Sequence, residues 1–230
     1  LNASEITRHF RVIAYDMPWH GKSSPPEGYV PGDYRLTTED YVSQILTVSE
    51  ALGLERPLAM GCSIGGRVML HLARHHPERF RALIGLQSGA YLKPYYDTDW
   101  LHRSDVHGGE VCGAFAWGLC APDAPERERW ETVWHYMQSG PGVFKGDLHF
   151  YKFDGDIRDQ LSAIDPRACP LHLLTGEYDY SCTPDDTRAV ADALGIGMTE
   201  MKGLGHFPMS ENPEAFLPYL RAVLEAVRSA

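Results

Sequence analysis

Ala59-Met60-Gly61-Cys62-Ser63-Ile64-Gly65-Gly66 sets one serine between glycines, at the end of an apolar run and the start of a helical pattern. It reads as G-x-S-x-G, a strand that turns into a helix so sharply that the serine takes strained backbone angles and its hydroxyl stands above the sheet. Gly61 and Gly65 are expected where a Cβ would crowd the turn. The helix that follows turns its first N–H groups and positive dipole end toward the place where an oxyanion would form, which makes the Ile64 amide a donor to that oxyanion. Gly and Ser also fill ordinary turns, so the surrounding chain has to decide between the two readings.

Outward from this stretch, strands and helices alternate. Phe10 to Tyr15 is a β-branched run that reads as a strand, broken at Pro18 and Gly21. Ser24 to Asp33 is a Pro- and Gly-rich loop. Thr37 stands three residues before Asp40 as the cap of a helix that Gly53 ends. Pro57 to Cys62 is a strand, Ile64 to His76 a helix ended by Pro77, and Phe80 to Leu86 a strand. The same rhythm returns with a strand from Cys169 to Thr175, a helix from Pro184 to Leu194, a strand from Met198 to Lys202 and a helix from Pro213 to Arg228. Such alternation means α/β architecture, a mostly parallel sheet flanked by helices.

Between Gly89 and Arg158 the rhythm stops, and Gly, Tyr, Trp, His and acidic residues dominate. We read residues 1–88 and 159–230 as the core and 89–158 as an inserted helical cap or lid. The clearest cap element is a helix that starts near Asp123 and Pro125 and carries Trp130, Val133, Trp134 and Met137. No helix is expected to begin at Gly108-Gly109, and no Lys-Ser/Thr follows to make them a phosphate loop. His102, Asp105, His107 and His149 lack the local spacing of a metal site and read as polar cap surface.

The 230 residues suffice for one sizeable core. Lys and Arg number 21 against 31 Asp and Glu, a formal charge of −10 that repels polyphosphates and anionic membranes. The expected partner is a small molecule, with no nucleic acid and no membrane, and self-association into a homo-oligomer is left open. The five cysteines are scattered without a C-x-x-C pair, which suits reduced thiols and a cytoplasmic protein.

A serine hydroxyl becomes a nucleophile when a base takes its proton and a third group orients that base. Asp179 and His206 both stand just past a predicted strand, where the carboxyl ends of a parallel sheet collect functional residues. The chain order is Ser63, Asp179, His206.

From about Phe10 to the C-terminus the chain resembles the α/β-hydrolase superfamily, in the group of serine esterases, enol-lactonases and carbon–carbon bond hydrolases. The matches are Asp16-Met17-Pro18 with His20-Gly21-Lys22-Ser23, the Gly61 to Gly66 stretch, the Gly176 to Asp179 turn, and Gly205-His206-Phe207 with Glu211 and Pro213. The resemblance implies the α/β-hydrolase fold, with Ser63 as nucleophile, His206 as base and then acid, and Asp179 as the orienting carboxylate. It also implies no metal or organic cofactor. Glu177 is a rival acid, but the family position is the later carboxylate. Trp19 stands where that family carries glycine, Cys62 reads as packing beside the nucleophile, and Trp19, Trp134 and Phe207 are candidate substrate contacts.

The family's second oxyanion donor follows its third strand, ahead of the strand that begins here near Phe10. The resemblance therefore places the N-terminal strands, and that donor with them, before Leu1. The expected activity is cleavage of a small carboxylic ester or lactone through an acyl-enzyme. The same triad would serve a carbon–carbon bond hydrolase of a vinylogous diketone, and the same fold a non-catalytic ligand receptor.

Overall fold

The computed structural model describes residues 4–25, 27–28, 30, 34–92, 108–140 and 142–229. Its centre is a parallel sheet of four strands, β1 (Leu58–Cys62), β2 (Ala82–Leu86), β3 (Leu171–Gly176) and β4 (Met198–Met201), ordered as they occur in the chain. A parallel ladder requires each connection to cross back over the sheet, and helices make those crossings. They are α3 (Ile64–His75) after β1 and α7 (Pro184–Leu194) after β3, with α2 (Thr38–Ala51) ahead of β1 and α9 (Pro213–Ser229) after β4. Two short helices complete the body, α1 (Ser4–Thr7) and α8 (Pro208–Glu211), the latter just ahead of α9.

Local chemistry sets several ends. Thr37 caps α2 by accepting the Asp40 amide at 3.1 Å. Thr183 and Asp186 form a reciprocal capping box on α7, and Gly195 closes that helix in the left-handed region at φ 64°. Side chains then alternate across the sheet with a period of two. Leu83, Leu171 and Leu173 face a layer made with Val68, Leu72 and Val190. Ala82, Ile84, Leu86 and Leu174 face Phe216, Leu220 and Val223 of α9. β2 is buried along its whole length and divides the two cores.

The run from Phe10 to Tyr15, expected as a strand, is extended chain without a ladder. A strand exists only through its neighbours, and among the described residues none pairs with it. Phe10 and Val12 pack against the α9-side core, but Ile13 and Tyr15 are exposed. A groove of about 350 Å³ separates this run from β1, lined by Phe10, Val12, Leu58, Met60, Ile84 and Leu224. β1 is accordingly half-buried, unlike β2.

Between β2 and β3 lie α4 (Gly108–Leu119), α5 (Glu126–Met137) and α6 (Val143–His149), followed by a π-helical turn from Phe150 to Asp154. α4 begins at Gly108, where no helix was expected. Its glycines let the α5 end approach: a Cβ on Gly109 would lie 2.6 Å from the Met137 carbonyl oxygen. His102, Asp105 and His107 lie outside the described residues, and the fourth candidate, His149, ends α6 with its ring 5.8 Å from Phe153. Among the described residues no helix is long and apolar enough to cross a membrane, and all five cysteines are free.

The loop around Trp19 and His20 is tied to α6. His20 Nε2 meets Asp147 Oδ2 at 2.9 Å, and Tyr34 donates to the other oxygen at 2.8 Å. Burial alone would push His20 down, but the Asp147 hydrogen bond and charge and the Pro18 carbonyl outweigh it, so the imidazole lies above its ordinary value. A raised histidine adds stability that is complete below the unfolded value of about 6.5 and is lost as pH rises through the higher folded one. His20→Gln should therefore lower stability by about 1 kcal/mol near pH 5.5, allowing for partial exposure, and by less at pH 8.5. Thermal unfolding at the two pH values tests this, and an equal loss at both would show that no charged imidazole is involved.

Candidate active site

Ser63 follows β1 directly and is the residue before α3, with φ 60° and ψ −114°. This is a left-handed backbone that a non-glycine residue adopts only under constraint. Its amide donates to the Leu86 carbonyl at 3.0 Å, which anchors the turn to the neighbouring strand. A Cβ on Gly61 would lie 2.3 Å from the Gly65 carbonyl oxygen, so the strand must carry glycine there. The second crowded position is Gly66 rather than the expected Gly65. A Cβ on Gly66 would sit 2.2 Å from the Leu86 oxygen, whereas one on Gly65 would meet only the Tyr41 hydroxyl at 3.4 Å. Ile64 is the first residue of α3, where backbone N–H groups lack intrahelical partners.

Asp179 and His206 come from the loops after β3 and β4, 27 residues apart in sequence. His206 Nδ1 lies 2.8 Å from Asp179 Oδ2, and His206 Nε2 lies 2.8 Å from Ser63 Oγ. The other oxygen of Asp179 accepts the amides of Ser181 at 2.8 Å and Cys182 at 3.0 Å. These bonds fix the carboxylate plane and leave Oδ2 for the imidazole. Nδ1–H then donates to Asp179, Nε2 is an acceptor, and the serine hydroxyl donates to it. Asp179 and His206 are 2% and 3% exposed, so water does not compete for the pair. Glu177 is turned to Lys202 Nζ at 3.1 Å and the Gly203 amide at 3.0 Å, on the outside of the turn.

The remaining candidates sort by position. Cys62 Sγ donates to the His206 carbonyl at 3.3 Å, and burial pushes its thiol well above the ordinary value, which keeps it protonated. Phe207 is buried against His206, edge to face at 4.9 Å, and against Tyr136 at 5.2 Å. Trp19 stacks on Tyr34 at 4.8 Å and carries φ 79°, the left-handed backbone that glycine would take without strain. Trp134 is not brought to the site: it is 60% exposed, because α5 turns its Val133 face inward and leaves Trp134 in solvent.

Two buried polar side chains that sequence reading did not assign hold the loops together. Gln87, at φ 53°, donates Nε2 to the Gly205 carbonyl at 2.8 Å and accepts the Gly176 amide on Oε1 at 3.2 Å. It thus clamps the loop before His206 to the end of β3. Glu211 is fully buried and accepts the amides of Gly205 and Phe207, which flank His206. Burial pushes the Glu211 carboxyl up, against the N–H groups of Gly205, Ala121 and Phe207 that favour its ionised form. The His206 amide itself donates to the Leu119 carbonyl at 2.9 Å, so the end of α4 also fixes the histidine loop. The only sequence signal for Glu211 was its place in the motif, five residues after the histidine, and Gln87 left none.

Removal of the Glu211 carboxylate would strand buried amides at about 1–3 kcal/mol each. Glu211→Ala should therefore lower unfolding stability by about 3 kcal/mol and Glu211→Gln by clearly less. Urea denaturation of both variants measures this, and a Glu211→Ala protein as stable as the wild type would refute the clamp.

The alpha/beta hydrolase fold model matches residues 2–106. The zearalenone hydrolase of Bionectria ochroleuca is 32% identical over 219 residues, covering 92% of this chain and 78% of the relative. The 3-oxoadipate enol-lactonase 2 of Acinetobacter baylyi is 24% identical over 228 residues, covering 93% and 78%. Among solved structures, the enol-lactonase of Burkholderia xenovorans LB400 superposes with a TM-score of 0.81 at 23% identity, covering 95% of this chain and 82% of that one.

Proposed function

The chain belongs to the α/β-hydrolase family, and from that footing we propose that it cleaves a small carboxylic ester or lactone through an acyl-enzyme on Ser63. The observation that carries this reading is the unbroken relay from Asp179 through His206 to Ser63, with 2.8 Å at each step. His206 Nε2 takes the Ser63 proton as Oγ forms its bond to the substrate carbonyl carbon. The Ile64 N–H steadies the oxyanion so formed. The tetrahedral intermediate collapses, the C–O bond to the leaving alkoxide breaks, and His206 returns the proton to that oxygen. Water then attacks the acyl-enzyme with His206 as base, the C–O bond to Ser63 breaks, and Oγ regains its proton.

Asp179 keeps its oxygen on Nδ1–H throughout and stabilises the imidazolium of each intermediate. In a lactone the leaving alkoxide stays tethered to the acyl group, so one site handles both substrate types. The name of the enol-lactonase relative supports including lactones.

The helices between β2 and β3 act in this reading as the cap that shapes the acyl pocket. Phe144 of α6 packs with Ile64, Leu148 and Tyr151 beside the elbow. Tyr136 joins Phe144, at 6.1 Å, to Phe207. These apolar walls suit a small acyl group.

Ser63→Ala in the full-length protein should reduce hydrolysis of p-nitrophenyl acetate roughly 10⁴-fold or more while leaving thermal unfolding unchanged. A serine-directed fluorophosphonate should add its phosphonyl group, with loss of fluoride, to a Ser63 peptide of the wild type only. Hydrolysis by Ser63→Ala at the wild-type rate would remove the serine from the mechanism.

A further inference from the structure

Tyr151 sits in the π-helical turn that follows α6 and is 3% exposed. Such turns insert one residue into a helix and re-aim the side chains around it, and they gather at functional sites. Tyr151 forms a small apolar cluster with Leu92 and Leu148, and Ile64, the first residue after the nucleophile, and Phe144 pack against that cluster. Arg67, one turn further along α3 and fully buried, fixes it from the other side. Its guanidinium carbon lies 4.5 Å from the ring centroid, one nitrogen donates to the Tyr151 carbonyl at 2.9 Å, and another donates to the Gly89 carbonyl.

This much packing holds the ring, yet its buried hydroxyl makes no well-formed hydrogen bond and stands only in loose reach of another side-chain oxygen. The side-chain hydroxyl it faces is that of Ser63, which already donates to His206. A buried phenol is ordinarily paired, because its desolvation is otherwise uncompensated. An O–H held so loosely beside that serine can turn to a better acceptor, and a substrate oxygen at Ser63 would be one.

We infer that Tyr151 Oη–H is a catalytic hydrogen-bond donor to the oxyanion formed when Ser63 attacks, supplied by the helical insertion and acting alongside the Ile64 N–H. The inference rests on the acyl-enzyme reading of Ser63. As Oγ becomes bonded to the carbonyl carbon, the substrate oxygen on that carbon takes up negative charge next to the phenol. The hydrogen bond then forms, and no proton is transferred: the phenol keeps its hydrogen and the oxyanion its charge until collapse. Burial pushes the phenol well above its ordinary value, although the Arg67 cation opposes this, so it stays a donor over the working range of pH. A strong donor in a dry site stabilises the charged intermediate more than the neutral carbonyl, and its effect therefore falls on turnover.

The test is Tyr151→Phe in the full-length protein, which removes one oxygen and leaves the ring between Arg67 and Ile64. With p-nitrophenyl acetate, kcat should fall about 100-fold, with KM within about threefold. Binding of a trifluoromethyl ketone, whose adduct on Ser63 carries the oxyanion, should weaken by a similar factor. The melting temperature should hold or rise, because a buried hydroxyl without a well-formed hydrogen bond has been removed.

Three results would overturn the assignment: kcat within twofold of wild type, a raised KM at unchanged kcat, or a fall in melting temperature that accompanies the loss of activity. Fluorophosphonate labelling of Ser63 separates this from the larger reading. A labelled and indispensable Ser63 with a fully active Tyr151→Phe enzyme defeats only the role of Tyr151. An unlabelled and dispensable Ser63 defeats both.

Discussion

Ser63 is held in a left-handed conformation that its own chemistry disfavours, and the surrounding backbone is built to keep it there. The strain is of the order of 1–3 kcal/mol for a residue of this kind. It is maintained by the Leu86 carbonyl that accepts the serine amide and by two glycines, Gly61 and Gly66, that let strand and helix approach within van der Waals contact. The hydroxyl is thereby lifted clear of the sheet, and the first turn of α3 lies beneath it. A relaxed serine in an ordinary turn would point elsewhere and would meet neither the imidazole nor the helix end.

The histidine that meets this serine is positioned by buried polar contacts rather than by apolar packing alone. Gln87, Glu211 and Asp179 are all nearly or fully buried, and each satisfies backbone amides of the loops at the carboxyl ends of the strands. Such groups are costly when unpaired and directional when paired. They therefore suit a task in which the imidazole must stand within hydrogen-bond reach of two oxygens at once. Apolar contacts fill volume and tolerate sliding. A carboxylate bridging the amides on either side of His206 does not.

The helical insertion between β2 and β3 is part of the same construction. The Leu119 carbonyl at the end of α4 accepts the His206 amide, and Tyr151 stands beside Ser63 at the far end of the insertion, pinned by Arg67 of α3. The helix that begins at Ile64 thus also carries the cation that fixes the insertion. Movement of the insertion would be felt at the histidine and at the elbow together.

The amino-acid sequence by itself determined the α/β rhythm, the elbow at Ser63 and the order Ser63, Asp179, His206, because each rests on a local rule: hydrophobic period, helix capping, glycine at a tight turn. Thr37 acts at the start of α2 where its spacing to Asp40 placed it. The expected strand from Phe10 to Tyr15 did not form, since a strand is defined by neighbours and not by β-branched residues alone. Trp134 was read as a substrate contact from its residue type, but which face of α5 turns inward is settled by packing against α4. Gln87, Arg67 and Tyr151 were likewise beyond the sequence, because their partners are backbone groups and rings far away in the chain. Only the tertiary structure brings a buried phenol to a serine 88 positions earlier, since long-range contacts follow from how the layers pack and leave no period in the chain.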